Sequence, residues 1–411
     1  MATPRSAEMT NRTRAIAVLV AALGYFVDVY DLILFSVTRV ASLRDLGFQG
    51  DELLHHGVYL LNMQMFGLLL GGVLWGVLGD KFGRVAVLFG SILLYSSANI
   101  LNAFVYTIEG YGVLRLVAGI GLAGELGAGI TLVSEIMPKE TRGYATTIVA
   151  SVGVAGAVAA SLVGETFHWR TAYIIGGVMG FALLVLRILT HESGLFHEVT
   201  KKSVRRGDLL LLFRSRERVL RYLRCIMVGV PIWYVVGILF TFAPEIGAAL
   251  EMPELPTAGK AVLFGYIGLV LGDLASGLLS QLLRSRKKAL ALFIFLTAVF
   301  SGLILSSHGM STAYFYALCV PAGIAVGYWA VFVTSAAEQF GTNLRATAAT
   351  TAPNFVRGFV VVLTSLFEFW KPSVGVVQSA FYVGVVAIGL AVISLIGLRE
   401  SFGRDLDFIE E

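Results

Sequence analysis

Long apolar segments separated by short polar connections recur along the whole chain. Twelve such segments can be distinguished, at approximately 14–41, 57–79, 85–106, 109–137, 144–166, 170–191, 221–248, 259–283, 289–308, 312–338, 347–370 and 374–397. At about 1.5 Å per residue, each is long enough as a helix to cross the ~30 Å hydrocarbon core of a bilayer. The pattern therefore predicts an all-α integral membrane protein with twelve transmembrane helices.

The twelve segments divide into two sets of six around the longest and most basic connection. We predict an N-terminal six-helix bundle (1–191), a cytoplasmic basic linker (192–220) and a C-terminal six-helix bundle with a short cytoplasmic tail (221–411). A short repeat supports two related halves. Glu135-x₆-Arg142 ends the fourth segment, and Glu338-x₆-Arg345 follows about 200 residues later, at the end of the tenth.

Composition agrees with a membrane protein and excludes several other classes. Hydrophobic residues make up 57% of the chain and charged residues only 14%, whereas a soluble domain carries about a quarter charged residues. The basic residues lie in connections and form no basic domain, so nucleic-acid binding is not expected. Cys225 and Cys319 fall inside apolar segments, where packed thiols are the expected state.

The distribution of lysine and arginine predicts the orientation of the chain. With the N-terminus inside, the opposite side receives few basic residues, namely Arg39, Arg44, Arg170, Lys260 and Lys371. Because basic residues accumulate in cytoplasmic loops, both termini are predicted to be cytoplasmic in a multi-pass protein of the cell membrane.

The connection after the second segment reads GVLGDKFGR, from Gly76 to Arg84. It resembles the signature loop of the major facilitator superfamily, G-x-L-x-D-[RK]-x-G-[RK]. The resemblance implies two pseudo-symmetric six-helix bundles that alternate between inward-open and outward-open states. It also implies a gating role for Gly76, Asp80, Gly83 and Arg84, and we extend that role to Glu135, Arg142, Glu338 and Arg345.

Ionisable residues inside the first and fourth segments predict a polar path, because such residues are costly in lipid. Tyr30-Asp31 resembles the Tyr-Asp of sugar porters and of metabolite and aromatic-acid proton symporters. In those families the first-span aspartate pairs with the fourth-span arginine, here Arg115, and is associated with proton coupling. Asp28 lies one turn before Asp31, and Gly124-Glu125 resembles the Gly-Glu of the metabolite symporters.

The candidates for proton coupling are therefore Asp28, Asp31 and Glu125, with Arg115 as the partner that stays charged. A carboxylate that alternates between an apolar environment and a nearby arginine takes up a proton in one state and releases it in the other. The alternative is a permanent structural ion pair. The sequence does not choose between Asp28 and Asp31.

In the second half, Arg357 either pairs with Asp273 or holds an anionic substrate group with Asn354, since guanidinium binds carboxylates in a bidentate way. Other polar and aromatic residues that could line the path include Asn62 and Trp329. The candidate substrate-binding residues are Tyr25, Tyr30, Gln64, Arg115, Trp233, Tyr234, Tyr266, Tyr328, Asn354 and Arg357.

These patterns predict a secondary transporter that takes up a small polar metabolite with protons, an organic anion being favoured over a sugar. The fifth segment lacks the Gly-Pro motif of drug–proton antiporters, which favours uptake. The alternatives are proton-driven efflux of an amphiphilic compound and a transporter-like solute sensor. No catalytic motif, phosphate loop or metal-ligand spacing occurs, so we expect no enzyme activity, cofactor or metal. The expected partners are a small-molecule substrate, protons and the lipid bilayer, around a monomer.

Overall fold

The computed structural model describes residues 11–82, 84–124, 137, 142–192 and 213–403, which form helices and short connections. The helices of the first half are α1 (Asn11–Asp45), α2 (Asp51–Phe82), α3 (Arg84–Asn102), α4 (Ile108–Leu122), α5 (Arg142–Thr166) and α6 (Trp169–Glu192). Those of the second half are α7 (Arg216–Tyr234), α8 (Ala243–Ala249), α9 (Ala258–Leu282), α10 (Arg286–Leu305), α11 (Thr312–Val326), α12 (Trp329–Glu338), α13 (Thr342–Gly358) and α14 (Val360–Gly397).

Every predicted span corresponds to helix in the described part of the chain. There, nine helical segments are long and apolar enough to cross a membrane, and one of them, Thr347–Gly397, has 51 residues and contains two predicted spans. These two spans meet at Gly375, whose φ of 81° interrupts the helix where a residue with a side chain would be strained. The third span is the shorter apolar helix Val87–Asn102, and α4 begins the fourth.

Two spans that the sequence predicts as single helices are interrupted. The seventh span starts at Arg216 rather than at 221, and changes to a π-helix over Val235–Phe240. Pro231, one turn earlier, lacks the N–H that an α-helix requires, which accounts for a disturbed ladder here. The tenth span ends as α11 at Val326 and resumes as α12 at Trp329.

The packing of the helices repeats between the halves. In the first half α1 contacts α5, α2 contacts α4, and α3 contacts both α4 and α6. In the second half α7 contacts α13, α9 contacts α11, and α10 contacts both α11 and α14. The two halves meet where α2 packs on α13 and α14, and where α5 and α1 pack on α9.

Glycines bring the backbones of α2 and α4 into direct contact. A Cβ atom added to Gly119 would lie 2.1 Å from the carbonyl oxygen of Gln64, and one added to Gly67 would lie 2.2 Å from that of Leu116. The equivalent pair in the second half, α9 and α11, has the same construction at Gly268 and Gly323. Small residues at such positions are the usual means of close packing between helices in lipid.

A buried ion pair joins the two halves near the α1–α2 connection, the predicted outer end. Arg39 Nη2 lies 2.7 Å from Glu245 Oε2, and the guanidinium is fully buried. Arg39 also donates to the carbonyls of Leu53 and Thr241 and lies over the ring of Phe242, at 4.6 Å. Because Arg39 belongs to the first half and Glu245, Thr241 and Phe242 to the second, this cluster joins the two halves at the predicted outer end.

Further contacts between the halves surround that ion pair. Lys371 Nζ lies 2.9 Å from Asp51 Oδ1, and His55 contacts the carboxylate of Glu368. Deeper between the halves, Thr364 Oγ1 donates to Asn62 Oδ1 at 2.5 Å. Exposed pairs contribute little stability singly, so the buried Arg39–Glu245 pair is the principal closure.

We expect Gly119→Ala to lower the unfolding temperature of the detergent-purified protein, because the added methyl group overlaps the backbone of α2. Overpacking of this kind costs about 1–3 kcal/mol. Gly277→Ala is the matched control, since a Cβ there meets nothing within 4 Å, and it should leave stability unchanged or raised. Equal unfolding temperatures for the wild type and Gly119→Ala would contradict the close contact of α2 and α4.

We expect Arg39→Gln to open the outer end, because it leaves Glu245 without its buried cation, a loss of about 3–5 kcal/mol. The reporter is Val29→Cys in the central cavity, labelled from outside by a membrane-impermeant thiol reagent. Labelling should accelerate by about tenfold or more. The control is Arg44→Gln, on the same helix but exposed, and it should label like Val29→Cys alone. An unchanged rate in Arg39→Gln would exclude the pair as the closure.

Candidate functional site

The break between α11 and α12 creates a polar position in the middle of the tenth span. Gly327 precedes the break, and a Cβ there would lie 2.5 Å from the Cα of Gly272 on α9, so only glycine fits. The new helix start exposes N–H groups that need an acceptor. Asp273 on α9 supplies one, because its Oδ1 accepts from the N–H of Ala330 at 3.1 Å.

A cavity of about 40 Å³ lies beside this break, between the two halves. Its walls are mostly aromatic and aliphatic, with one arginine and one aspartate. They are formed by Tyr25, Val29, Leu32, Val154, Ile232, Trp233, Val236, Tyr266, Leu269, Asp273, Trp329 and Arg357. An engineered cavity that binds benzene measures about 150 Å³, so this site is contracted and has to expand to admit a substrate.

Among the described residues that line the cavity, Arg357 is the only cation. Its Nη1 lies 3.8 Å from Asp28 Oδ2, which joins α13 of the second half to α1 of the first. The guanidinium carbon lies 5.9 Å from the ring centre of Trp233 and 5.7 Å from that of Trp329. The buried Nε and Nη1 atoms of Arg357 make no hydrogen bond in the described structure. The site therefore offers two donors to an anion between aromatic rings.

The structure pairs Arg357 with neither of the two residues that the sequence suggested as its companions, Asp273 and Asn354. Asp273 lies on the wall of the same cavity, but the ion pair of Arg357 is formed with Asp28. Asn354, proposed beside Arg357 as an anion ligand, donates from Nδ2 to the carbonyl of Ala123 at 3.2 Å. That hydrogen bond connects the two halves.

A second charged group lies inside the first half. Arg115 Nη2 donates to Asn99 Oδ1 at 2.8 Å, and its guanidinium lies 4.6 Å from the ring centre of Tyr173. Asp31 is buried, and its electrostatic neighbours are Arg115, Asp28 and Asn99. Neither oxygen of Asp31 accepts a hydrogen bond within the described protein. Arg115 and Asp31 are not on the cavity wall.

Polar side chains extend from Asp31 along α3. Asn99 lies one turn from Asn102 in sequence, and both are fully buried. The amide atoms of Asn102, the Nδ2 of Asn99 and the Oγ of Ser96 have no hydrogen-bond partner in the described protein. Sequence reasoning missed this group, although two asparagines three residues apart in an apolar span were a usable signal.

The predicted substrate-binding residues fall into two groups. Tyr25, Trp233, Tyr266 and Arg357 line the cavity together with Trp329. Apart from Arg115, which donates to Asn99, the remaining side chains are directed to backbone carbonyls of other parts of the protein. Tyr30 donates to Ala172, Tyr234 to Ala380 and Tyr328 to Val228, each at 3.0 Å, and Gln64 Nε2 lies 3.4 Å from the oxygen of Leu32.

Most of the predicted gating residues lie outside what the structure describes. This holds for Gly83 and Glu135, for the side chains of Asp80, Arg84, Arg142 and Arg345, and for the surroundings of Gly76. The proton-coupling candidate Glu125 also lies outside the described residues. Glu338 is described, and its Oε1 lies 3.2 Å from Arg286 Nη2 at the start of α10.

The end of the chain packs against this ion pair. Ser401 Oγ donates to Glu338 at 2.7 Å, and Glu400 accepts from Ser285 and from the N–H groups of Arg286 and Lys287. Partial burial raises the pKa of Glu400, but the hydrogen bonds outweigh it and lower the pKa to about 2. Glu400 therefore stays charged and caps the N-terminus of α10.

Comparison with known proteins agrees with this architecture. The sequence model described as Major Facilitator Superfamily matches residues 21–365. A putative niacin/nicotinamide transporter, NiaP, from Bacillus subtilis is 26% identical and covers 82% of this chain and 84% of its own. A gentisate transporter from Corynebacterium glutamicum is 25% identical, over 95% of this chain and 89% of its own.

Among solved structures, the crystal structure of a D-xylose–proton symporter matches with a TM-score of 0.70 at 16% identity, covering 95% of this chain and 99% of its own. At that identity the match concerns the fold alone, and it confirms the predicted twelve-helix arrangement in two six-helix bundles. The family model covers most of the chain, which confirms the resemblance of its signature loop. The chain therefore belongs to the major facilitator superfamily and is a multi-pass membrane transporter rather than an enzyme.

Proposed function

We propose that this protein takes up a small aromatic carboxylate together with protons. The observation that carries the proposal is Arg357, a buried guanidinium with two open donors on the wall of a central cavity. The edge that carries Nη1 and Nη2 can give a carboxylate two parallel hydrogen bonds once Nη1 is released from Asp28. Because the site is shielded from water, that contact is stronger than the same contact at a surface.

The cavity walls favour a planar ring as the remainder of the substrate. The rings of Trp233 and Trp329 lie 5.9 Å and 5.7 Å from the guanidinium, and Tyr25 and Tyr266 are electrostatic neighbours of it. Aromatic side chains pack favourably against an aromatic ligand. A sugar needs many hydrogen-bonding groups, whereas two candidates for that role, Gln64 and Asn354, are directed to backbone carbonyls.

The relatives support the same class of substrate. The names of the two transporters compared above refer to niacin or nicotinamide and to gentisate. Niacin and gentisate are each a single aromatic ring that carries a carboxylate. Their alignments cover 82% and 95% of this chain, which favours a related ligand here.

Asp31 is the proposed proton carrier. Asp28 lies 3.8 Å from the cation of Arg357, whereas Asp31 has Arg115 and Asn99 as neighbours but no well-formed hydrogen bond to either. A carboxylate without hydrogen bonds in an apolar bundle gains most from protonation. The buried polar atoms of Asn99, Asn102 and Ser96 provide groups that could carry a proton to it through water.

The two sites suggest an order of events in transport. A substrate carboxylate on Arg357 replaces Asp28 as the partner of the cation. Asp28 then loses the nearby charge of Arg357, one turn from Asp31, and two neighbouring carboxylates resist being ionised together. A proton bound in this pair relieves the repulsion, so substrate and proton occupy the protein together.

The first test uses purified protein in liposomes with a pH-sensitive dye inside. Nicotinate, 3-hydroxybenzoate and D-xylose are presented outside, and protein-free liposomes correct for diffusion of the neutral acids. The proposal expects internal acidification with the two aromatic acids and none with xylose. Outward movement against an imposed proton gradient would favour efflux, and saturable binding without counterflow would favour a sensor.

We expect Asp31→Asn to separate substrate movement from proton movement. The variant should retain counterflow of nicotinate between equal internal and external pH. It should lose accumulation driven by a pH gradient, which in the wild type approaches about tenfold per pH unit for one proton per anion. Glu254→Gln, a neutralised exposed carboxylate, is the control. Wild-type accumulation in Asp31→Asn would transfer the proton role to Asp28 or Glu125.

We expect Arg357→Lys to weaken nicotinate binding by about tenfold or more, because an ammonium group cannot reproduce the bidentate contact. The charge, and with it the attraction of Asp28, is retained in this variant. The measurement is the dissociation constant by titration calorimetry in detergent. The matched control is Arg44→Lys at an exposed position. Wild-type affinity in Arg357→Lys would exclude this arginine as the carboxylate ligand.

A further inference from the structure

Asp273 is an intramembrane carboxylate with no cationic partner. Across the residues that the structure describes, its hydrogen bonds come from the backbone at the start of α12, and it belongs to no ion pair. Asp28, in contrast, faces Arg357, and Asp31 faces Arg115. A charge inside a membrane protein without a counter-charge is expensive and indicates a functional role.

The start of α12 explains how Asp273 is held in place without a cation. The N-terminus of a helix carries a partial positive charge and free N–H groups, both of which stabilise an anion. Asp273 Oδ1 accepts from the N–H of Ala330. A carboxylate offers about four lone-pair sites on its two oxygens, so this contact leaves acceptor capacity unused. Asp273 is only partly buried and forms part of the cavity wall.

Asp273 and Arg357 place a negative and a positive charge on the wall of the same cavity. Both are electrostatic neighbours of Tyr25, so both are within reach of one small molecule there. They do not pair with each other, because Arg357 pairs with Asp28 and Asp273 with the backbone of α12. The cavity therefore offers Arg357 to an anionic group and Asp273 to a hydrogen-bond donor, with aromatic walls between them.

We propose that Asp273 is a specificity-determining residue that accepts a hydrogen bond from a ring hydroxyl or ring N–H of the substrate while Arg357 holds its carboxylate. This inference rests on the proposed function and narrows it. The preferred substrate is then an aromatic acid with a donor on its ring, and acids without such a donor, such as benzoate or nicotinate, bind more weakly. An unsubstituted ring would leave the charge of Asp273 desolvated and unpaired, which costs affinity.

The expected discrimination can be measured with two kinds of ligand. Benzoate has the ring and the carboxylate only, and the three monohydroxybenzoates add one donor at different positions. The best-bound hydroxybenzoate should bind the wild-type protein about tenfold or more tightly than benzoate, the factor that one hydrogen bond to a charged group supplies. Binding is measured by titration calorimetry on the purified full chain, so it does not depend on transport.

The decisive variant is Asp273→Asn, with Glu254→Gln as the control that neutralises an exposed carboxylate. The asparagine oxygen can still accept from Ala330, so the start of α12 remains capped. Its amide N–H₂ cannot accept the substrate donor. The preference for hydroxybenzoate should fall to about onefold in Asp273→Asn, because hydroxybenzoate loses its acceptor and benzoate no longer leaves a buried charge unpaired. Glu254→Gln should keep the wild-type preference.

Other outcomes overturn the inference in distinguishable ways. Equal binding of benzoate and the hydroxybenzoates by the wild type, or an unchanged preference in Asp273→Asn, would remove Asp273 as the acceptor and leave the proposed function intact. An unchanged preference together with lost proton-driven accumulation would make Asp273 a proton carrier instead. Failure of the wild type to bind or transport any of these acids would overturn the proposed function and this inference with it.

Discussion

The positive charge of Arg357 is the constraint to which the centre of this protein is adapted. A guanidinium 2% exposed in an apolar bundle needs a compensating anion. Asp28 provides it from the other half, at 3.8 Å. Two unit charges at that separation attract by roughly 4 kcal/mol at an effective dielectric of about 20. The separation is longer than a hydrogen bond, so compensation is incomplete and a better-placed carboxylate can compete.

The two aspartates of α1 connect the cation to the interior of the first half. Asp28 and Asp31 are one turn apart, so they share a face of the helix and interact electrostatically. Asp28 is directed to Arg357 at the interface between the halves, and Asp31 to Arg115 within one half. Any change in the partner of Asp28 therefore changes the electrostatic environment of Asp31. In the proposed mechanism this turn of helix carries the coupling between substrate and proton.

The sequence identifies the fold and the charged residues because both depend on composition that can be counted. Twelve apolar segments predict twelve spans, and a charge inside a span, such as Asp28 or Arg357, is conspicuous. The sequence shows less clearly which side chains face the cavity and which form hydrogen bonds to other helices. Tyr25, Val29 and Leu32 share one helix face at the cavity, whereas Tyr30, about 100° further around α1, donates to Ala172.

Tertiary contacts also decide where helices break. Gly327 interrupts the tenth span because it lies against the backbone of Gly272, whereas Gly323, one turn earlier, touches Gly265 without a break. Nothing local distinguishes the two glycines. The same applies to Arg39, which the sequence places in the outer connection as a marker of orientation. Its burial against Glu245 is a contact between residues about 200 positions apart.

The closed outer end and the contracted cavity are two aspects of one state. Arg39 joins α1 to the segment after α7, and Asp28, about three turns earlier on α1, joins the same helix to Arg357 on α13. Both ion pairs therefore connect the halves through α1. If a substrate carboxylate takes Arg357 from Asp28, one of these two ion pairs of α1 is lost, and the other lies at the predicted outer end. Whether the halves can move about that end then depends on whether Arg357 binds Asp28 or the substrate carboxylate.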